Sequence, residues 1–364
     1  MNVLLFPRIL AKTGVGNHVK QLSDELCRQG HSVTVVSSTK DIQLNDDVVF
    51  IQLPADSMNP FHILKVIRTL HTIIEEKQID IVHCHHRKAS LIMHMYNMFY
   101  RIPFVYSSHS ANIPSGFLYR KLTFVGDCVI AVSKEVQQSL KKNLRIPEEK
   151  IVTIPNGIIP IYPLTDEAVA EQKTAWGIPS DSYVLAMHSR IDPVKNHLLM
   201  VEAVSQLKEE SKRKVTVVCS GETEGAYYEE LRNRIHELKL DDRFVFVGWT
   251  KPENILGIAD FLFLPSKNEG FALSVAEAFM MGVPVARTHT AGFEEQQYCL
   301  LIDAKDPQPI VKIIEALIQY GKEPYKERIE KQRILAFQEF TLETMTKRTV
   351  AVYKAVTQRY KEKP

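Results

Sequence analysis

Short hydrophobic runs alternate with amphipathic stretches along most of the chain. The run at 3–6 is wholly apolar, and those at 33–36 and 215–219 are rich in β-branched residues; none alternates polar with apolar positions. Strands of this composition are buried on both faces, as in parallel sheets whose crossover connections are helices. The pattern therefore predicts α/β domains with doubly wound parallel sheets.

The predicted strands form two series, which the proline-containing residues 155–163 separate. The first series comprises 3–6, 33–36, 79–83, 104–106, 128–132 and 151–154. The second comprises 183–187, 215–219, 244–247, 261–264, 283–286 and 300–302. The pattern also predicts helices at 16–28, 61–76, 273–281, 308–320 and 341–361. Two such series predict two Rossmann-like domains facing across a cleft, because ligands of these sheets bind outside the carboxyl ends of the strands.

Composition indicates an ordinary globular protein. The 364 residues are 45% hydrophobic and 24% charged, and the formal net charge of +2 offers nucleic acid no strong attraction. The five cysteines are scattered without a Cys-x-x-Cys pair, so we predict neither a disulfide framework nor a zinc site, and a reducing cytoplasm fits. We do not expect the N-terminus to be a signal peptide, because its apolar run is short and Arg8 interrupts the region. No run reaches the roughly 18 apolar residues of a membrane span. We therefore expect a cytoplasmic protein whose contact with a membrane is peripheral.

Residues 81–126 differ in charge from the rest of the chain. They contain no acidic residue, but they have five histidines and several lysines and arginines between aromatic side chains. Basic and aromatic residues together suit the surface of an anionic bilayer or an anionic acceptor. A solvated basic face over ordinary core aromatics explains the same composition, and the sequence leaves both interpretations open.

The densest chemical signal is a strand-to-helix junction in the second series. The strand 261–264 leads into a loop that opens the helix 273–281. Free backbone N–H groups and the positive end of the helix dipole make such a loop an anion site. Glu269 and Glu277 lie eight positions apart across this junction. A carboxylate in this helix, beside a bound phosphate, can accept hydrogen bonds from the hydroxyl groups of a ribose.

The stretch 265–278 resembles the Glu-x7-Glu signature of family 4 glycosyltransferases, which are retaining enzymes of the GT-B fold. The family pattern is roughly Pro-Ser-x-x-Glu-Gly-Phe-Gly-Leu-x-x-x-Glu-Ala. This chain keeps nearly all of it, with Ala272 in place of the second glycine. Pairing with nearby cations would explain either glutamate alone, but a motif of this length in this context is far more specific.

The first strand-to-helix turn carries a second resemblance. Residues 13–19, Thr-Gly-Val-Gly-Asn-His-Val, are similar to the family's Gly-Gly-x-x-x-His-Val turn, with Thr13 in place of the first glycine. Gly14 and Gly16 allow the backbone to approach a ligand and offer N–H donors to phosphate. Val19 occupies the position of a third glycine, and no acidic residue ends the second predicted strand. Both facts count against a nicotinamide-dependent dehydrogenase.

Two cations follow the first strand of the second series. Arg190 lies just after the strand end, and Lys195 lies just before a helix. Fixed cations at this edge neutralise a pyrophosphate whose negative charge grows as the glycosidic bond breaks. The segment resembles the family's Gly-Arg-Leu-x-x-x-Lys-Gly element, with Ser189 and Asn196 in place of its glycines. Two solvated cations at a helix start are the alternative interpretation.

Two further elements extend the resemblance. His109 follows the predicted strand 104–106, where the family has a histidine that faces the donor sugar. The loop 290–295 is similar to the family's Gly-Gly-x-x-Glu loop, with Ala291 in place of the first glycine. A lone histidine is also a common structural group, so the residues alone leave the role of His109 open.

The sequence predicts no metal site. His83, His85 and His86 are close together, but their spacing suits no defined site and no carboxylate is near, so we interpret them as facing solvent or the acceptor. The chain has no Asp-x-Asp, with which other transferases hold a divalent ion. We therefore expect an enzyme without a metal or other cofactor, in which cationic side chains and helix N-termini replace the ion.

The resemblance covers essentially the whole chain and implies its architecture and activity. It implies an acceptor-binding domain at 1–160, a nucleotide-sugar-binding domain at 161–340 and a helix within 341–364 that packs back onto the first domain. It also implies transfer of a hexose, with retention, from a nucleotide diphosphate sugar to an acceptor hydroxyl. UDP is the favoured nucleotide, and the expected acceptor is a glycan or lipid of the cell envelope at the cytoplasmic membrane face.

The same resemblance assigns roles to residues. Glu277 binds the ribose hydroxyls, Glu269 lies near the transferred sugar, and His109 faces that sugar. The predicted catalytic residues are therefore Glu269, His109, Arg190 and Lys195. The start of the helix contributes the donor-binding residues Gly270, Phe271, Ala272, Leu273 and Ser274.

Two alternatives to a transferase remain at this point. A sugar-nucleotide epimerase of similar architecture would interconvert donors without an acceptor. A non-catalytic partner subunit would bind the sugar nucleotide alone, and the presence of Glu269, Arg190 and Lys195 argues against it.

Overall fold

The computed structural model of the chain describes residues 1–11, 13–55 and 59–362. The chain divides into two compact units. We call Met1–Gly157 with Leu342–Pro364 the N-terminal unit, and Ile158–Thr341 the C-terminal unit. Each unit is built on one parallel sheet covered by helices.

The strands of the N-terminal unit are β1 Asn2–Phe6, β2 Ser32–Ser37, β3 Val48–Gln52, β4 Ile81–Cys84, β5 Phe104–Ser108, β6 Cys128–Ala131 and β7 Ile151–Thr153. The strands of the C-terminal unit are β8 Tyr183–His188, β9 Val215–Ser220, β10 Phe244–Phe246, β11 Phe261–Leu264, β12 Val285–Thr288 and β13 Leu300–Ile302. The sheet orders are β3-β2-β1-β4-β5-β6-β7 and β10-β9-β8-β11-β12-β13. The strand order reverses beside β1 and beside β8, and the carboxyl ends at these switch points are where doubly wound sheets bind ligands.

The α-helices are α1 Gly14–Arg28, α2 Pro60–Glu76, α3 Arg87–Tyr96, α4 Phe117–Lys121, α5 Lys134–Ser139, α6 Asp166–Ala175, α7 His197–Ser205, α8 Glu209–Lys212, α9 Ala226–Glu237, α10 Pro252–Gly257, α11 Leu273–Met281, α12 Gln308–Tyr320, α13 Lys326–Glu339 and α14 Leu342–Lys361. A π-helical turn at Leu140–Leu144 extends α5. Short 3-10 turns lie at Glu148–Lys150, Asp241–Arg243 and Glu323–Tyr325.

The last helix belongs to the N-terminal unit. In α1, Val19, Leu22 and Leu26 recur at helical spacing and are fully buried. They share one hydrophobic core with Met345 and Tyr353 of α14. The chain therefore returns to its first unit at its end, as the GT-B resemblance implied.

Several elements were not predicted from the sequence, among them β3, α3 and α13. The edge strand β3 pairs only with β2, and Val49 in its centre is 43% exposed. Helix α3 begins within a polar run that includes Arg87. Helix α13 buries only Gln332 and Ala336 among its residues, so it has no apolar stripe to reveal it. The predicted strand 283–286 was placed two residues early, because β12 continues through a fully buried arginine.

Candidate functional site

The start of helix α11 is the centre of the candidate site. β11 lies between β8 and β12, and its loop turns back into the helix. The residue before the helix, Ala272, provides no side-chain cap, and the first helical turn has no acidic residue. The first-turn N–H groups therefore retain the positive character that attracts an anion. Phe271 and Ala272 are buried, while Gly270, Leu273 and Ser274 are partly exposed, so this backbone can meet a ligand.

Lys195 and Glu269 form an ion pair beside this helix start. Lys195 Nζ lies 2.6 Å from Glu269 Oε1, and the side chains are 16% and 9% exposed. Asp192 Oδ1 accepts hydrogen bonds from the backbone N–H groups of Val194 and Lys195 and shapes the turn that carries the lysine. The structure thus joins two of the predicted catalytic residues.

Asn196 fixes the turn that carries Lys195 against the loop that carries Glu269. Its backbone is left-handed, with φ 60°, and its side-chain amide donates to the carbonyls of Pro265 (3.2 Å) and Ala304 (2.9 Å). The Lys267 N–H also donates to the Val194 carbonyl at 2.8 Å. This substitute for the family's glycine therefore ties the two site loops together.

Arg190 lies at the carboxyl end of β8 but is more exposed than Lys195. Its Nη2 lies 3.1 Å from Asp192 Oδ2, and the side chain is 57% exposed. Gly221, with φ 132°, lets the chain pass closely, because a Cβ there would come within 2.4 Å of the Ser189 carbonyl oxygen. Arg190 thus extends from a fixed backbone toward solvent.

Glu277 lies on α11, about one helical turn beyond its first residue, and contacts a histidine that sequence reasoning missed. His188 Nε2 is 3.5 Å from Glu277 Oε2, and His188 Nδ1 is 2.6 Å from Ser220 Oγ. Burial, with the nearby charge of Glu253, raises the pKa of Glu277 to about 7. Burial lowers the pKa of His188 to about 4. The position of His188 at a strand end just before Arg190 was the signal that could have identified it.

The loop after β12 is held by Arg287, whose side chain is fully buried. Its Nη2 donates to the carbonyls of Thr290 (3.1 Å) and Ala291 (3.0 Å), and its Nη1 donates to Gln296 Oε1. Gln296 Nε2 in turn donates to the Ala272 carbonyl at 2.6 Å. This chain of hydrogen bonds links the loop 290–295 to the start of α11. This support was not predicted, because Arg287 lies at a strand position where the pattern predicts only burial.

The first glycine turn has a structural explanation of its own. Thr13 caps α1, with its Oγ1 accepting from the Gly16 N–H at 3.2 Å. A Cβ at Gly16 would come within 2.0 Å of the Ala11 carbonyl oxygen, whereas a Cβ at Gly14 would meet nothing within 4 Å. Gly16 therefore serves chain packing, and the predicted contact of Gly14 and Gly16 with a donor stays a prediction.

His109, which is partly exposed, lies beside the buried histidines His18, His83 and His85 at the carboxyl edge of the N-terminal sheet. His85 Nδ1 is 3.4 Å from His109 Nε2, and the His18 ring packs edge-on against His109 with centroids 4.8 Å apart. His83 lies beside them and bonds Tyr353 Oη at 2.6 Å. Burial lowers the pKa of each, to about 4 for His18 and well below 6.5 for His83, His85 and His109. These imidazoles are neutral at physiological pH.

The interpretation of His83 and His85 as facing solvent was wrong, because both are almost fully buried, His83 within β4 and His85 just after it. That they face the acceptor stays a prediction. The ring nitrogens of His18, His85 and His109 lie within 4.8 Å of one another, a set that could hold a metal ion. Tetrahedral zinc ligands lie about 3.3 Å apart, close to the 3.4 Å between His85 Nδ1 and His109 Nε2. Among the described residues, His18 Nε2 and His85 Nε2 are buried without a hydrogen-bond partner. The three rings therefore form a candidate metal set, and an enzyme without a metal stays a prediction.

The segment 81–126 presents exposed apolar side chains beside basic ones. Met98, Phe99 and Phe117 are all at least 65% exposed, and Arg87 lies over the Tyr119 ring. Among the described residues, no helix has the length and hydrophobicity needed to span a bilayer.

Two family models match the chain. The model of Glycosyltransferase Family 4 matches residues 12–160, and the model of Glycosyl transferases group 1 matches residues 169–334. An uncharacterised glycosyltransferase of Methanocaldococcus jannaschii is 24% identical over 96% of this chain and 95% of its own length. The alpha-monoglucosyldiacylglycerol synthase of Streptococcus pneumoniae is 28% identical over 77% of this chain and 68% of its own.

Solved structures of glycosyltransferases have the same fold as this chain. HepE of Anabaena, solved in complex with UDP, has a TM-score of 0.82 at 19% sequence identity, with 98% of this chain and all of that chain covered. Both sheet orders and the returning last helix fit this architecture. The matched domains span most of the sequence, and the chain belongs to the family 4 glycosyltransferases, with a group 1 C-terminal domain and the GT-B fold.

Proposed function

We propose that the protein transfers a hexose, with retention of configuration, from a UDP-sugar to a hydroxyl group of a glycan or lipid-linked acceptor. The observation that carries this proposal is the Lys195–Glu269 pair beside the uncapped start of α11, with Glu277 further along the same helix. These elements provide a cation, a backbone anion site and a carboxylate for ribose within one unit. UDP is favoured because HepE, which has the same fold, was solved with UDP.

In the proposed reaction, the diphosphate lies at the first turn of α11 with Lys195 and Arg190 nearby. Negative charge grows on the departing diphosphate as the glycosidic bond breaks, so preorganised cations stabilise the transition state more than the ground state. Glu269 contacts hydroxyls of the sugar, and the sugar contact of His109 stays a prediction. The departing phosphate accepts the proton of the acceptor hydroxyl, which then bonds to the anomeric carbon on the face that the phosphate leaves. In this proposal the side chains and the helix dipole supply the charge stabilisation, without a metal ion.

The acceptor is proposed to be a cell-envelope glycan or glycolipid at the cytoplasmic face of the membrane. The relative from Streptococcus pneumoniae is named as a synthase of a glucosylated diacylglycerol. The exposed Met98, Phe99 and Phe117, with basic residues in the same segment, suit peripheral contact with an anionic bilayer.

A product assay tests the transferase directly. The protein is incubated with UDP-, GDP- or ADP-linked radiolabelled hexoses and with extracted envelope lipids and glycans. We expect label transfer from a UDP-sugar, and NMR of the product to show the anomeric configuration of the donor. Conversion of one sugar nucleotide to another without transfer would indicate an epimerase, and nucleotide binding without any turnover would indicate a non-catalytic subunit.

Substitution of Arg190 tests the role of the cations. If Arg190 acts mainly in the transition state, Arg190→Ala lowers kcat about 100-fold or more while the donor Kd changes little. Arg232→Ala is the matched control, because Arg232 also faces an aspartate, Asp241, at 4.0 Å on the surface of the same unit. Unchanged turnover in Arg190→Ala would remove Arg190 from the catalytic set.

A further inference from the structure

His188, Ser220 and Glu277 form a connected row of polar side chains at the carboxyl edge of the C-terminal sheet. His188 ends β8 and is paired in register with Ser220, which ends β9. The imidazole bonds Ser220 Oγ through Nδ1 at 2.6 Å and contacts Glu277 Oε2 through Nε2 at 3.5 Å. Ser220 is fully buried, and the side chains of His188 and Glu277 are only 12% and 16% exposed.

The protonation of this row follows from its surroundings. Burial keeps His188 neutral, with a pKa of about 4, so the ring carries a single N–H. Nε2 faces a carboxylate oxygen, which cannot donate when it is ionised. The favoured tautomer therefore has its proton on Nε2, and Nδ1 accepts from the Ser220 hydroxyl.

This tautomer affects the orientation and charge of Glu277. Burial and Glu253 raise the pKa of Glu277 to about 7, so the carboxyl group is about half ionised at neutral pH. An N–H on Nε2, 3.5 Å from Oε2, stabilises the ionised form and restrains the rotation of the carboxylate. A carboxylate held by one oxygen presents the other to a ligand in a fixed direction.

We propose that His188, oriented by Ser220, is a positioning residue that fixes the Glu277 carboxylate for the ribose hydroxyls of the donor nucleotide. This inference rests on the proposed use of a nucleotide sugar. It predicts that discrimination between ribose and deoxyribose depends on His188, although His188 itself need not touch the nucleotide.

Calorimetric titration with UDP and 2′-deoxy-UDP tests this inference. In the native protein we expect UDP to bind about 10- to 100-fold more tightly, because a ribose hydroxyl bonds to a charged group. In His188→Leu the ratio of the two Kd values should fall to about 3 or below, since a misoriented carboxylate loses most of that bond. Glu277→Gln should also reduce the ratio.

Conservative variants separate positioning from a structural role. His188→Gln places an amide nitrogen near the position of Nε2 and should restore most of the ratio. His188→Asn places its amide near Nδ1 and should not restore it. Ser220→Ala leaves the imidazole in place without its tautomer-setting partner and should give an intermediate ratio. Thermal unfolding of each variant shows whether it is folded before its ratio is interpreted, and Ser220→Ala serves if the substitutions at 188 do not fold.

The outcomes distinguish this inference from the proposed function. If His188→Leu and Ser220→Ala bind UDP with the native ratio, His188 is a packing residue and the inference is wrong, while the function stands. A ratio near 1 in the native protein also overturns the inference and removes Glu277 from the ribose site. If no nucleoside diphosphate binds the native protein, the proposed function fails and the inference fails with it.

Discussion

At the scale of single residues, the most informative feature is the nearly buried Lys195–Glu269 pair. The desolvation penalty of a buried ion pair offsets much of its attraction, so the pair is poorly explained by stability alone. A fixed cation and a fixed carboxylate beside an anion site do suit charge stabilisation during catalysis. Function therefore gives the better explanation of this pair.

Single and double substitutions of this pair separate the two explanations. Lys195→Met leaves Glu269 largely buried without its partner and should lower the free energy of unfolding by about 2–3 kcal/mol, less than the loss for a fully buried pair. The double variant Lys195→Met/Glu269→Leu should regain most of that stability but not the transferase activity. Chemical denaturation and product assays measure the two effects. Activity in the double variant near that of the native protein would contradict the catalytic role.

At the scale of elements, the loop after β12 determines how the start of α11 is supported. Gly292 has φ 83°, and a Cβ there would lie 3.1 Å from the Phe271 Cα and 3.3 Å from its ring. Arg287 donates a hydrogen bond to the carbonyl of the neighbouring loop residue Ala291. Gln296 donates one to the carbonyl of Ala272, the residue before the helix. The loop and the helix start therefore behave as one packed element.

Replacement of Gly292 tests this coupling. Gly292→Ala combines an unfavourable backbone angle with a tight contact to Phe271, and we expect a stability loss of about 1–3 kcal/mol together with a raised donor Kd. Gly177→Ala is the matched control, because Gly177 also has a positive φ, 66°, with nothing within 4 Å of a built Cβ. The control should lose some stability but keep its donor affinity. Equal donor affinity in both variants would show that the loop does not support the site.

Elements with a clear apolar period could be predicted from the sequence, and so could motifs whose residues determine the local backbone conformation. The helix from Leu273 to Met281 and its end at Gly282 were predicted to the residue, because a β-strand, an apolar helix and a left-handed glycine leave little choice. The Lys195–Glu269 contact was not predictable, since it joins loops 74 positions apart. The polar helix α13, which packs on α11, also has no pattern that reveals it.

The same limit explains the residues that were missed in the site. His188 and Arg287 lie at strand positions, where the pattern predicts only burial. What each contributes depends on a partner from another element, Ser220 for His188 and Gln296 for Arg287. Such partnerships appear only when the strands are placed side by side.

At the scale of the whole molecule, buried neutral histidines should govern stability in acid. His18, His188 and His197 each have a pKa near 4 in the native protein, and burial also lowers the pKa of His83, His85 and His109. A histidine whose folded pKa lies below its unfolded value contributes stability that is fully present above pH 6.5. That contribution is lost as the pH falls toward 4. Glu277 has the opposite effect on stability, because its raised pKa means that the folded protein binds its proton more readily than the unfolded chain does. Its single contribution is smaller than the combined contribution of the six histidines.

Thermal unfolding between pH 7.5 and 5 measures this effect. Each histidine with a folded pKa near 4 should cost about 2 kcal/mol by pH 5, so we expect Tm to fall by at least several degrees. His18→Asn should reduce the slope of Tm against pH. His236→Asn is the control, because the side chain of His236 is 83% exposed, and it should leave the slope unchanged. A Tm that stays level down to pH 5 would contradict neutral burial of the cluster.

We propose that the C-terminal unit binds the nucleotide of a sugar donor at the start of α11, with Glu277 on its ribose. The most direct measurement is calorimetric titration of UDP into the native protein, Glu277→Ala and the control Glu202→Ala, which removes a carboxylate paired with Arg234 in the same unit. We expect similar UDP affinity in the native protein and the control, and binding at least about 10-fold weaker in Glu277→Ala. Equal affinity in all three proteins, or no binding by the native protein, would contradict it.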